Sequence, residues 1–272
     1  MTIKVIATDM DGTFLTDSKT YDRRLFDQLF SKFQEEDIKF VAASGNQYRQ
    51  IIKQFPQCRD KMTFVAENGG HIIDKGEVLQ EEFVSLEAVS TLIDFIEEKY
   101  PDTIINLAGK LSSYLPKDTP EEAKEALKYY LPVLNYLDTL HPIPEDDFFK
   151  VTLLVKDELT YIVQEEINDL FAEYNLTATS SGFGCLDIIP SHIHKGTSLA
   201  FLLDYWGYSS ENLIAFGDGG NDIEMLKLAK YSFAMGNAPK NIKQFASHQA
   251  PSNQDSGVLH VLENHFLKGN KL

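Results

Sequence analysis

Residues 3–15 read IKVIATDMDGTFL, and they decide the fold. A short apolar run, Ile3, Val5, Ile6 and Ala7, leads directly into Asp9, Asp11 and Gly12. A β-branched run of that length reads as a buried strand. The acids fall where the strand should end, and open parallel sheets bind ligands beyond the carboxyl ends of their strands. If the chain stays extended through Asp9 and Asp11, the two-residue period aims both carboxylates the same way. Gly12 then permits a sharp turn.

Working outward, residues 21–36 carry Leu25, Phe26, Leu29, Phe30 and Phe33 at helical spacing. Residues 38–43 form a second apolar strand ending in Ser44-Gly45-Asn46. A helix over 46–55 stops before Pro56. A third strand, 64–66, precedes Glu67-Asn68-Gly69-Gly70. This β-α-β-α-β alternation predicts a parallel α/β sheet. Lys75-Gly76 then sits in a small hairpin. From residue 86 the order changes to helix 86–100, strand 103–107, helix 120–130, strand 149–155, helix 158–174, and strands 177–181 and 185–189. That is an α+β insert. The α/β rhythm resumes with helix 195–205, strand 212–216, helix 223–229, strand 231–235, and helices 238–245 and 257–266. The expected fold is α/β, a Rossmann-like parallel-sheet core of residues 1–82 and 190–272 with an α+β domain, 83–189, inserted between.

The strand ending at Phe216 leads into GDGGND, residues 217–222, a second acidic station with Asp218 and Asp222. If a helix starts there, the two carboxylates lie on one side of its first turn. Taken alone, either acidic stretch is a glycine-rich turn with capping aspartates. Together they would place four carboxylates in one pocket. Like charges about 4 Å apart cost on the order of 4 kcal/mol per pair at an effective dielectric near 20. Such a cluster takes up protons or holds a hard cation, and an all-oxygen donor set suits Mg²⁺. No His-rich or Cys-rich cluster favours zinc. A metal among carboxylates calls for an anionic substrate. Ser44 and Gly45 offer a hydroxyl and free amides for phosphate, and Lys195 opens the first helix after the insert.

The 272 residues suffice for one large or two medium domains. With 43% hydrophobic and 24% charged residues the chain is of globular composition. A net charge of −16 disfavours general binding to nucleic acid or anionic membrane. Two cysteines, Cys58 and Cys185, make no disulfide framework. The N-terminus has no signal-peptide layout and no apolar run is long enough to span a bilayer. A cytoplasmic location is the expectation.

DMDGTFL (9–15), ASGN (43–46), HKGTSL (194–199) and GDGGND (217–222) stand in the order and rough spacing of the haloacid dehalogenase superfamily of phosphohydrolases, which the chain resembles over its full length. The long insert, FVAENGG (64–70) and YSFAMGNA (231–238) are similar to the Cof-like branch, and within it to bacterial sugar phosphatases of the YbiV/SupH type. The resemblance implies a Mg²⁺-dependent phosphatase of small phosphorylated metabolites, with sugar phosphates the expected substrates. It makes Asp9 the nucleophile that becomes an aspartyl-phosphate and Asp11 the general acid and base. It implies Mg²⁺ held by the Asp9 carboxylate, the Asp11 main-chain carbonyl and Asp218. Ser44, Gly45, Lys195 and Asn221 would bind phosphate, and Asp222 would support the metal shell or orient Lys195. Many relatives carry Thr-Gly-Arg where this chain has Ser44-Gly45-Asn46, so any specificity resting on that Arg is lost. Gly219 stands where Ser is common.

Two alternatives stay open. A phosphomutase or phosphotransferase would use the same aspartyl-phosphate. A receiver-like switch would use similar residues, but DxD after the first strand and a hundred-residue insert fit it poorly. In the insert, Asn106, Tyr114 and the turn Gly182-Phe183-Gly184 are candidate substrate contacts, and His71 could reach the pocket mouth. Glu145-Asp146-Asp147 reads as a solvated loop, and Trp206 and the Phe residues as core.

Overall fold

The computed structural model describes residues 2–182 and 184–270. Contacts divide the chain into two compact units, residues 1–79 with 194–272, and residues 80–193.

Along the chain, β1 (Val5–Thr8), α1 (Arg23–Glu35), β2 (Lys39–Ala43), the short α2 (Tyr48–Ile51), β3 (Thr63–Ala66), β4 (His71–Asp74) and β5 (Glu77–Glu81) come first. The inserted unit supplies α3 (Leu86–Lys99), β6 (Ile104–Gly109), β7 (Ser113–Pro116), α4 (Glu121–Leu127), β8 (Leu134–Leu137), β9 (Phe148–Leu154), α5 (Thr160–Leu170), β10 (Leu176–Gly182) and β11 (Cys185–Pro190). The first unit then closes with α6 (Lys195–Trp206), β12 (Leu213–Gly217), α7 (Ile223–Leu228), β13 (Tyr231–Ala234), α8 (Lys240–Lys243), β14 (His248–Gln249) and α9 (Gly257–Phe266).

The core sheet runs β14-β13-β12-β1-β2-β3-β4-β5. Its strands from β14 to β3 are parallel, and β4 turns back antiparallel on β3. The central strands are buried on both faces, as their continuous apolar runs require. Alternation sorts their side chains. Ile6, Phe40, Ala42 and Phe64 face one layer, with Phe26, Leu29 and Phe33 of α1 and Leu259 and Leu262 of α9. Val5, Ala7, Val41 and Val65 face the other, with Leu199 and Leu202 of α6 and Met225 of α7. The result is a three-layer α/β/α core. Helix α1 begins where the Asp22 carboxylate accepts the Leu25 amide. In the β4–β5 turn Lys75 and Gly76 both have positive φ, the conformation of a two-residue hairpin loop.

The inserted unit is a six-stranded sheet, β10-β11-β9-β6-β7-β8. Helices α3 and α5 cover one face through Leu92, Ile93, Ile96, Val163 and Ile167 against Val151, Leu153 and Ile188. Strands β7, β8 and β14 lie where no strand is expected from the sequence. Each is short, and Ser-Tyr-Leu-Pro or Leu-Asn-Tyr-Leu carries little periodic signal. Asp146 corrects the reading of 145–147 as a solvated loop. Its carboxylate accepts the amides of Leu111 and Ser112 and the Tyr114 hydroxyl, pinning the β6–β7 turn. Tyr114 and Asn106 are buried in this unit, and Trp206 is half-buried beside the second core layer. The turn at Phe183 lies outside the described residues. Among the described residues no helix is long and apolar enough to cross a membrane.

Candidate active site

The site sits where the sheet order reverses direction. From β1 the chain crosses to β2 on one side, and β12 pairs with β1 on the other, Thr8 opposite Phe216. Loops leaving two neighbouring strands on opposite sides open a crevice at their carboxyl ends.

The strand does not stay extended through the two aspartates. It ends at Thr8, and a turn begins at Met10. The Leu15 amide bonds back to the Met10 carbonyl at 2.8 Å and the Phe14 amide to the Asp9 carbonyl at 3.2 Å. Phe14 anchors that loop from below, 4.8 Å from the Tyr21 ring and 5.4 Å from Phe26. The loop is thereby packed onto the aromatic core.

Asp9 and Asp11 consequently have different neighbours. The Asp9 carboxylate is buried and meets Lys195 Nζ at 2.5 Å. Lys195 is fully buried and also meets Asp222 Oδ1 at 2.6 Å. The other Asp222 oxygen accepts the amides of Asp218 and Gly219, each at 2.9 Å. Asp222 thus closes its own loop. It ends a single 3₁₀ turn, with α7 starting one residue later, and its side chain folds back over that loop. Asp218 is fixed by the Thr13 hydroxyl at 2.5 Å. Gly12 has φ +80°, and a Cβ there would come 2.5 Å from Asp218 Oδ2, so only glycine fits.

Ligand oxygens of Asp9, Asp218 and Asp222 lie within 4.8 Å of one another. The carboxylate of Asp11 is not of that group. Its Oδ1 meets Lys19 Nζ at 2.5 Å and its Oδ2 accepts from Asn46 Nδ2 at 2.6 Å. Ser44 is buried, and its hydroxyl oxygen accepts the Asn46 amide, which leaves the hydroxyl proton for a ligand. The helix after Ser44 begins only at Tyr48 and spans four residues. Gly45 is pressed against Asn68, whose Oδ1 would stand 2.9 Å from an added Cβ. Asn221 gives its Nδ2 to that same Asn68 oxygen at 3.0 Å. His71 is half-buried, its ring 5.8 Å from Tyr48.

The charges explain the chemistry. Burial pushes the Asp9 carboxyl well above the usual range; Lys195 pulls it down, and Asp222 and Asp218 push it up again. Burial, and then Asp222, push Asp218 up to about 6 despite the Thr13 hydrogen bond and Lys195. Burial works against the Lys195 charge, but Asp222 and Asp9 outweigh it and hold the ammonium above the ordinary lysine range. One cation thus faces three clustered carboxylates. The surplus negative charge and the all-oxygen donor set fit a hard divalent cation such as Mg²⁺. Because both Asp222 oxygens are already engaged, Asp9 and Asp218 are the carboxylates free to ligate.

Thr13, Lys19, Asn46 and Asn68 complete this constellation without having been singled out for a role from sequence. The DGT, ASGN and ENGG motifs hold three of them. Lys19 carries no sequence signal.

The chain belongs to the haloacid dehalogenase-like hydrolase family, whose model matches residues 6–262. Its class is that of a phosphoric monoester hydrolase, a phosphatase of the family, as its relatives of named activity are. The 5-amino-6-(5-phospho-D-ribitylamino)uracil phosphatase YbjI of Escherichia coli is 38% identical over 263 residues, 97% of this chain and 96% of YbjI. The crystal structure of SMU.1108c from Streptococcus mutans is 49% identical, with a TM-score of 0.95 over 98% of this chain and all of that one. The sugar phosphatase BT4131 of subclass IIB, 19% identical with a TM-score of 0.82 over 97% of this chain and 98% of its own, shares the fold.

Proposed function

We propose that this protein is a Mg²⁺-dependent phosphatase of small phosphorylated metabolites that works through an aspartyl-phosphate on Asp9. The buried Lys195–Asp9 pair at 2.5 Å, set against Asp218 and Asp222, carries the reading. Lys195 fixes one Asp9 oxygen, which leaves the other to attack phosphorus in line. Carboxylate attack divides one hard displacement into two easier ones. Asp11 protonates the departing oxygen and then takes a proton from the attacking water. The Ser44 hydroxyl and the amides at Gly45 bind the phosphoryl oxygens, with the Lys195 ammonium beside them. Asn221, held on Asn68, lines the same rim. Asp9, Asp218 and the Asp11 main-chain carbonyl would hold Mg²⁺, which when bound offsets charge between the anionic nucleophile and the anionic phosphate. Placement and neutralisation carry most of a phosphoryl transfer.

The substrates are phosphomonoesters of polyhydroxylated carbon chains. Sugar phosphates and the phospho-D-ribityl compound named for the Escherichia coli relative share that chemistry. The inserted unit, residues 80–193, selects the leaving group.

Phosphate release from hexose, pentose and ribityl phosphates, nucleotides and small phosphorylated acids tests this. The assay is run with Mg²⁺, with EDTA and with Asp9→Asn. The expected result is metal-dependent release from sugar or ribityl phosphates, abolished in a folded Asp9→Asn protein. Appreciable turnover by that variant would refute the assigned nucleophile. Product formation without free phosphate would point to transfer onto a second hydroxyl instead.

A further inference from the structure

Asp11 is a partly exposed acid beside the buried cluster. Both its oxygens are engaged, one by Lys19 and one by Asn46. The two donors come from different segments, the turn before α1 and the end of β2. Asp11 itself is about a quarter exposed, at 28% of its side chain.

The turn that carries Lys19 is built at some cost. Lys19 has φ +59°, the left-handed region. For a residue with a Cβ this backbone conformation is strained. Hydrogen bonds hold the turn closed: Thr16 N–H to the Thr20 carbonyl at 2.9 Å, and Lys19 N–H to the Thr16 carbonyl at 2.8 Å. The hydroxyls of Thr16, Ser18 and Thr20 link to one another at 3.0–3.2 Å. Fixing a long Lys side chain costs rotamer freedom. Here that ordering holds one carboxyl in one orientation. Asn46 does the same from the opposite oxygen.

We propose that Lys19 and Asn46 are positioning residues for Asp11, fixing its carboxyl for proton transfer to the leaving oxygen. This rests on the role given to Asp11 above. A carboxyl group has about four lone-pair positions, so two donors still leave each oxygen one for transfer. In the first step an Asp9 oxygen bonds to phosphorus, the phosphorus–leaving-oxygen bond breaks, and the Asp11 proton goes to that oxygen to release an alcohol. In the second step water bonds to phosphorus, its proton goes to Asp11, and the bond to Asp9 breaks. Proton transfer in flight requires the carboxyl in hydrogen-bond reach and aimed.

The test exploits leaving groups that differ in their need for a proton. The constant kcat/KM reports the first step, in which the leaving group departs. Nitrophenolate leaves without protonation and an alkoxide does not. Lys19→Met and Asn46→Ala are compared with wild type on p-nitrophenyl phosphate and on glycerol phosphate, with Mg²⁺. The expected result is a fall in kcat/KM at least about tenfold larger for glycerol phosphate than for p-nitrophenyl phosphate, part of the 10²–10⁴ that general acid catalysis contributes. Lys19→Arg, which keeps a cationic donor, should recover part of the loss. An equal fall on both substrates, or no fall, overturns the positioning role while leaving the phosphatase reading intact. No phosphate release by wild type from these two substrates or from any member of the panel above overturns the proposed function, and this proposal with it.

Discussion

Replacing Asp222 by Asn tests whether hydrogen bonding or charge governs the buried cluster. The substitution changes no volume. It removes a charge that attracts Lys195 at 2.6 Å and repels Asp9 and Asp218 at 4.8 Å or less. At an effective dielectric near 20 the attraction is worth about 6 kcal/mol and the two repulsions together about 7 kcal/mol or more. At the 4.8 Å limit the charge terms nearly cancel, and the hydrogen bonds then decide the sign. Asp222 accepts three, from Lys195 and from the amides of Asp218 and Gly219. A carboxamide has one accepting oxygen, so in either flip its NH₂ faces a donor. Losing charge-assisted bonds and leaving a buried donor opposed costs about 2–4 kcal/mol. Urea unfolding in EDTA should show that loss as a lower midpoint at unchanged slope. Phosphate release should fall at least about a hundredfold, because Lys195 loses one of its two anchors and Asp9 shifts with it. A variant as stable as wild type, or more stable, would refute the hydrogen-bond reasoning and show that repulsion dominates the cluster.

The pH response follows from Asp218, raised in the fold to about 6 from an ordinary value of 3.8. The native state then binds more protons than the unfolded chain between those values, so metal-free stability should fall as pH rises from about 4 to above 6, by about 2 kcal/mol after allowance for partial exposure. Asp218→Asn should lack that component, and superimposable melting profiles for the two proteins in EDTA would refute it. Gly12→Ala should lower metal affinity and activity together, since it forces a left-handed Ala and displaces Asp218; calorimetric titration with Mg²⁺ measures the first. Asp146→Ala should destabilise the inserted unit by roughly 2–4 kcal/mol by freeing two amides and the Tyr114 hydroxyl, seen as a lower melting temperature.

The acidic stations, the strands that end in them and the insert between were legible in the sequence. The information is local there. An apolar run stops, an acid follows, and glycine permits the turn, so Asp9, Asp11 and Asp218 announce themselves within a dozen residues. Buried strands and amphipathic helices are likewise written in their own periods, and α1 and α9 match expectation to within a residue or two. The short strands β7 and β8 were not legible, because their pairing with β6 and with each other, rather than their composition, makes them strands.

What only the tertiary structure decided is the company each charge keeps. Lys195 is 186 residues from Asp9 and 27 from Asp222, and no spacing rule says that it is buried between them. The chain could not show that Asp11 turns away to Lys19 and Asn46, or that Asp222 folds back on its own loop. Local propensity is a sum over neighbours in the chain. Burial, ion pairing and pKa are set by neighbours in space, through desolvation and Coulomb terms that act over a few ångströms whatever the separation in sequence.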